Sequence, residues 1–229
     1  MAFRYRSYEK ELLDGNNIPF ADIRQNMQEL NFINQHLGGH QITLKGLRKL
    51  INNDTRFLHV AEIGCGGGDN LRVIRDWCIK NNIEVHLTGI DINKECIAFA
   101  QQTLHHSDVA WMHCDYKEAV FNSRPNIIFS SLFCHHFTDD ELVSMFQWMN
   151  DNSSCGFFIN DLHRHPLAYH SIRLLTKAFS RSYLVKNDAP LSVKRGFLKD
   201  DWKRLFASAG LPCSIQWQWA FRWLVSCAK

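Results

Sequence analysis

The sequence predicts an α/β fold: a largely parallel sheet covered on both faces by helices, preceded by a helical cap. Three observations carry this. From residue 57 onward, short apolar runs alternate with amphipathic stretches of helical period. Four glycines, at 64 and 66–68, directly follow the first apolar run. An acid, Asp91, ends the second run, 25 residues after Gly66.

The elements follow in chain order. Ile23, Met27, Leu30, Ile33 and Leu37 recur at helical spacing over the first 55 residues, and Gly38-Gly39 supplies the stop. A shorter helical pattern holds Leu44, Leu47, Leu50 and Ile51. Residues 57–63 read as a buried parallel strand. Helix 69–82, strand 85–91, helix 93–104 and strands 109–113 and 127–131 follow. Helix 138–150 has the clearest start: Thr138 and Glu141 form a capping box, with Phe137 and Leu142 at hydrophobic-staple spacing. Strand 155–160 closes the alternation. A helix over about 166–181, an irregular stretch to Gly196 and a helix over 198–209 come next. Two adjoining strands, 213–220 and 221–228, form an antiparallel hairpin. The expected organisation is one domain of 229 residues: a cap over 1–55, a core over 56–161, a helical insertion over 162–211 and a hairpin over 212–229.

Composition narrows the function classes. Lys plus Arg number 26 against 23 acids, too even for a nucleic-acid coat or a polybasic membrane anchor. No apolar run reaches the ~18–20 residues of a membrane span. Eight cysteines lack CxxC pairs or zinc-site spacing, and the N-terminus shows no signal-peptide apolar region. The expectation is a cytoplasmic protein with reduced thiols, no nucleic-acid or membrane partner, and an oligomeric state left open.

The chemistry concentrates at Glu62-Ile63-Gly64-Cys65-Gly66-Gly67-Gly68-Asp69. Glycines let a ligand approach the backbone, and the following helix offers free N–H groups. Asp91 is placed to accept two hydrogen bonds from ribose hydroxyls. A dinucleotide fingerprint would require glycine at 69, where Asp69 would repel a pyrophosphate; Glu62 adds to that charge. A zwitterionic sulfonium such as S-adenosylmethionine suits acidic surroundings better.

On these residues, 57–161 resemble a class I S-adenosylmethionine-dependent methyltransferase, and the terminal hairpin extends the likeness to the C-terminus. The family's first motif is matched by Glu62, Gly64, Gly66 and Gly68, with Cys65 inside it. Its ribose acid is matched by Asp91, with Ile92 beside the adenine; its adenine-side acid by Asp115, next to Tyr116; its fourth-strand segment by Ser130 and Ser131. The resemblance implies a Rossmann-like seven-stranded sheet, order 3-2-1-4-5-7-6 with strand 7 antiparallel, and S-adenosylmethionine as cofactor, with S-adenosylhomocysteine as product. Within the family the chain is similar to bacterial small-molecule enzymes.

Methyl transfer to a hydroxyl requires in-line positioning and a group to take the proton. The candidate bases are His135 and His136 after the fourth strand and His163 after the fifth; Arg164 could anchor the substrate or the local loop, and Asp161 could orient a histidine or cap the next helix. No Pro-Pro motif of amino-methylating enzymes and no carboxylate cluster of the catechol-methylating type is apparent, so a metal-free enzyme is expected. Residues 163–204 carry net +7 and the rest net −4, consistent with a solvated helix face or with attraction of an acidic acceptor. Phe179, Tyr183, Phe197 and Trp202 could form an apolar pocket, and Cys65, Cys114 and Cys134 are expected along the cleft. The acceptor expected is a small aromatic or polyketide-like hydroxyl compound. The alternatives are C-methylation of a quinone-type ring and a non-catalytic protein that binds the same cofactor.

Overall fold

The computed structural model describes residues 3–15, 18–104, 106 and 108–229. Its strands are Phe57–Ile63 (β1), Glu84–Asp91 (β2), Val109–His113 (β3), Ile127–Ser131 (β4), Gly156–Leu162 (β5), Ser214–Gln218 (β6) and Arg222–Ala228 (β7). They form one sheet in the order β3-β2-β1-β4-β5-β7-β6. Strands β1 to β5 are parallel, and β7 runs antiparallel to β5 and β6. The topology implied by the resemblance is the observed one.

The helices are Phe20–His36 (α1), Gly39–Lys49 (α2), Asp69–Lys80 (α3), Lys94–Thr103 (α4), Asp139–Asn152 (α5), Pro166–Phe179 (α6), Tyr183–Arg195 (α7) and Lys199–Ala209 (α8). Burial on both faces explains the mainly apolar character of β1, β4 and β5. Alternate residues of β1 serve opposite faces. Ala61 and Ile63 pack with Phe146, Trp202 and Phe206, whereas Leu58 and Val60 pack with Leu47, Leu71 and Ile74. The Thr138–Glu141 capping box forms as expected, and Asn93 caps α4 by accepting from the N–H groups of Glu95 and Cys96.

Three expectations need correction. The stretch before Gly196 is a helix, α7, in which Pro190 is buried and Ser182 Oγ accepts from Val185 N–H at the N-terminus. Its core-facing residues Leu184, Val185, Asp188 and Leu191 keep helical spacing, so packing offsets the hydrogen bond that proline removes. The hairpin strands are shorter than expected, 214–218 and 222–228, joined through Trp219-Ala220-Phe221. Strand β5 extends to Leu162, which places Asp161 inside the sheet, fully buried.

The N-terminal cap is fastened over the carboxyl ends of the strands. Asn160 Nδ2 donates to Gly39 O (3.0 Å), and Arg222 to Asn34 Oδ1 (2.7 Å). The segment ahead of α1 lies across α7, where the N–H groups of Leu12 and Leu13 donate to Asp188 (2.8 and 3.0 Å). Among the described residues, no helix is long and apolar enough to cross a membrane.

Candidate active site

The turn from β1 to α3 is made by glycines in the left-handed region, with φ of 66° at Gly64, 50° at Gly66 and 76° at Gly68. Two of the three also have no room for a side chain. A Cβ on Gly64 would lie 2.2 Å from the Phe133 ring, and one on Gly68 2.6 Å from Trp111. At Gly66 the nearest atom to a Cβ would be Met27 Sδ, 3.3 Å away, a close contact with the tip of a flexible side chain.

Two acids flank this turn, Glu62 buried and Asp91 half-buried. Asp91 Oδ2 accepts from Gly66 N–H and Oδ1 from Asn93 N–H, both at 2.8 Å. Burial nevertheless pushes its carboxyl above the usual range. Glu62 is 1% exposed, and burial pushes its carboxyl up further, with Asp69 and Asp91 adding repulsion. Its Oε1 accepts from Asn70 Nδ2 (2.9 Å), while Oε2 has no hydrogen-bond partner. Asn70 Oδ1 in turn accepts from Thr43 Oγ1 (3.1 Å) and lies 3.1 Å from His40 Nδ1, which ties Glu62 to α2.

Glu62, Gly64, Gly66 and Asp91 open on one cavity of about 840 Å³, within the ~300–1,000 Å³ of small-molecule sites. Residues 131–133 form its side. Its roof comes from Met27 and Ile33 of α1, Ile172 of α6 and Val185 of α7. The insertion and cap thus cover the cavity that the strands open.

The far wall is a cluster of titratable groups. His135 Nδ1 is 2.8 Å from Asp161 Oδ1, and its Nε2 lies 3.5 Å from Glu11 Oε1. His136 Nδ1 is 3.0 Å from Asp14 Oδ1, and its Nε2 lies 3.8 Å from Glu11 Oε2. Burial alone would lower the pKa of His135, but the carboxylates of Asp161 and Glu11 carry it up to about 9. Burial opposes ionisation of Asp161 and Glu11 too, yet the histidines hold both below their usual values; His136 and Arg195 take Asp14 to about 2. Arg195 and Arg6 fix the turn at 134–136 by donating to the carbonyls of His135, His136 and Phe137.

The structure brings Glu62, Gly64, Cys65, Gly66, Asp91, Ile92, Ser131, His135 and His136 together on the cavity. The other candidates lie elsewhere. Tyr116 packs in the core against Phe137 and Trp148, and Asp115 caps the short turn at 116–118. Ser130 is fully buried with its Oγ 3.4 Å from Cys134 Sγ. His163 Nδ1 accepts from Trp217 Nε1 (3.2 Å). Arg164 is consumed by the carbonyls of Phe3, Arg4 and Gly196 and by Asp201, which makes it a staple for the N-terminal segment. Phe197 and Trp202 are core residues, while Phe179 and Tyr183 face outward, 81% and 51% exposed. Of the three thiols expected along the cleft only Cys65 lines it, joined by Cys96. The sequence reading did not assign Glu11, Asp14 or Arg195 to the site. Glu11-Leu12-Leu13-Asp14 offered a signal, two acids three residues apart in an otherwise apolar motif.

Residues 60–156 match a family model described as a methyltransferase domain. No curated protein matches the chain by sequence. Among solved structures, the chain is similar to the plantazolicin methyltransferase BpumL in complex with SAH, at 13% identity over 92% of this chain and 95% of that one, TM-score 0.68. It is similar to human N-acetylserotonin methyltransferase in complex with SAM, at 14% identity over 92% of this chain and 56% of that one, TM-score 0.63. The magnesium protoporphyrin IX methyltransferase of Synechocystis with bound SAM gives 10% identity, 94% and 99% coverage and a TM-score of 0.57. Such identities speak for the fold. The matched segment spans the glycine turn and Asp91, and the chain has the fold of these solved methyltransferases.

Proposed function

We propose that the protein methylates a small-molecule acceptor, the hydroxyl of an aromatic or polyketide-like compound, using S-adenosylmethionine. The observation that carries the cofactor reading is Glu62 Oε2. It is a buried carboxyl oxygen without a partner, on a residue that lines the cavity beside the glycine turn. An unpaired buried acceptor calls for a donor, and an ammonium supplies a charge-assisted one. Asp91, across the Gly66 backbone, keeps lone pairs free for ribose hydroxyls. When bound, the cofactor supplies a methyl on a sulfonium centre, displaced in line by the acceptor oxygen.

The protein's part is to hold and exclude. Glu62 and Asp91 fix one end of the cavity, and α1, α6 and α7 shield it from water. His136 faces the cavity with its Nδ1 fixed by Asp14 and is the group we assign to take the acceptor proton. His135 already carries a proton at neutral pH and is held between Asp161 and Glu11. It therefore serves as a fixed positive charge rather than a base.

Calorimetry with S-adenosylhomocysteine tests the cofactor half. Binding in the micromolar range, weakened at least ~10-fold by Asp91→Ala through loss of charge-assisted hydrogen bonds, is expected; equal binding by the variant overturns the assignment. For the acceptor half, phenols, hydroxyquinones and hydroxy acids are incubated with S-adenosylmethionine, and products heavier by one methylene are sought by mass spectrometry. Fragmentation then places the methyl on oxygen or on ring carbon.

A further inference from the structure

Among the described residues, one group of three ligating side chains places its donor atoms within 4.8 Å of one another: Glu11, His135 and His136. The three come from separate places in the chain, the N-terminal segment and the turn after β4, and all face the cavity. Their geometry is uneven in an informative way. Both Nδ1 atoms make close contacts with carboxylates, His135 with Asp161 at 2.8 Å and His136 with Asp14 at 3.0 Å. Both Nε2 atoms instead stand off from Glu11, at 3.5 and 3.8 Å, beyond the ~2.7–3.2 Å of a good hydrogen bond. Two donors bonded to a tetrahedral zinc ion at ~2.0–2.1 Å lie about 3.3–3.4 Å from each other. The two nitrogen–oxygen distances, one to each Glu11 oxygen, are thus close to the spacing of ligands around a shared ion, and all three donors lie within 4.8 Å of one another.

We propose that Glu11, His135 and His136 form a divalent transition-metal site on the acceptor wall of the cavity, with Asp161 and Asp14 as the carboxylates that orient its histidines. The arrangement fits such a site in composition and support. Two imidazole nitrogens and one carboxylate suit zinc and neighbouring first-row dications. A ligating histidine characteristically gives its other N–H to a carboxylate, and here both do. Charge agrees. Arg195 bonds to Asp14 (3.1 Å) and lies 4.0 Å from Glu11, offsetting one of three carboxylates. Arg6 is engaged by Asp139 and backbone carbonyls. The ion would displace the second proton that His135 otherwise carries; with both imidazoles neutral, and Arg195 and Arg222 set against three carboxylates, the corner holds one net negative charge for the dication. Because the three donors line the cavity, an open coordination position would face the acceptor. An acceptor hydroxyl bound there would lose its proton more readily, with His136 acting as ligand in place of base. This departs from the metal-free expectation drawn from the sequence.

The test titrates chelator-treated full-length protein with Zn²⁺ by calorimetry and with Co²⁺ by visible absorption. Saturable uptake of one ion per chain is expected, with a Co²⁺ spectrum of a low-coordinate nitrogen–oxygen site and a raised Tm. His136→Ala and Glu11→Gln should each weaken uptake by at least ~10-fold, and Asp14→Asn by about 10-fold, as for residues that orient ligands. His136 is partly exposed, so its alanine variant is the one suited to a folded control, verified by circular dichroism and by cooperative thermal unfolding. Absence of saturable uptake, or uptake by the folded His136→Ala protein equal to wild type, overturns the site. Cofactor binding by the metal-free protein is measured in parallel, so the metal proposal can fail while the methyltransferase reading stands.

Discussion

Glu62→Gln separates binding from stability, because the structure predicts opposite signs for the two. The substitution keeps the Oε1 acceptor that Asn70 uses at 2.9 Å and replaces the unpartnered Oε2 with an amide N–H₂. A cofactor ammonium would then meet a donor where it needs an acceptor. A hydrogen bond to a charged group contributes about 1.5–3 kcal/mol, so S-adenosylhomocysteine should bind roughly 10- to 150-fold more weakly. The free protein should respond the other way. Burial raises the carboxyl of Glu62 above its ordinary value of 4.5, so the unfolded chain ionises first as pH rises. Stability is therefore lost progressively above pH 4.5, and the neutral glutamine escapes that loss. The expected result is a ligand-free Tm above wild type at pH 8, with the gap closing towards pH 5. Calorimetry and thermal unfolding at pH 5, 6.5 and 8 supply both readings. Affinity equal to wild type would show that Oε2 does not face the ammonium. A Tm difference that ignores pH would show that the buried acid is not the source of strain.

Two further outcomes rest on other parts of the structure. Gly64→Ala forces a side chain into the left-handed region and within 2.2 Å of the Phe133 ring; strain and overpacking together should cost on the order of 2–4 kcal/mol, read as a lower midpoint in urea, and unchanged stability would contradict the tight approach of the two segments. His59 is buried against Thr88, and burial with the nearby His86 takes its pKa from 6.5 down to about 4. The unfolded chain then binds a proton that the folded one excludes, so the stabilising difference is present above pH 6.5 and lost as pH falls towards 4. Going from pH 7.5 to 5 should cost about 2 kcal/mol through this residue, and His59→Gln should lose less by that amount; equal losses in both proteins would refute it.

Legibility in the sequence followed the distance between interacting residues. Glu62, the glycines and Asp91 lie within 30 residues and keep a spacing set by one strand–turn–helix unit, so their neighbourhood could be read directly. The histidine pair was placed correctly for the same reason, at the end of β4. Its surroundings were not legible. Asp14 is 122 residues from His136 and Arg195 59 residues beyond it, and no local period records which loop will cross which helix. Arg164 shows the converse: its position after β5 allowed an anchor for substrate or for a local loop, and four acceptors from distant segments consume its guanidinium. In α7, Pro190 hid a helix because local propensity spoke against it while tertiary burial of Leu184, Val185 and Leu191 decided for it.

The same division of distances separates the two halves of the site. Contacts that shape the cofactor end, from Asp91 to Gly66 and from Gly64 to Phe133, join the segments that leave the ends of adjacent strands, so a change there disturbs the fold itself. Contacts that shape the acceptor end join residues 6–14 to 135–136 and 188–195 across the roof, largely through side chains and carbonyls of surface segments. A bridge between the halves runs from Glu62 through Asn70 to Thr43 and His40 of the cap. Substitutions in α6, α7 or the N-terminal segment that spare this bridge can therefore alter which acceptor fits while leaving Glu62 and Asp91 in place. Substitutions at Asn70 would reach both the cavity wall and the cap, since its amide holds Glu62 while its oxygen anchors α2.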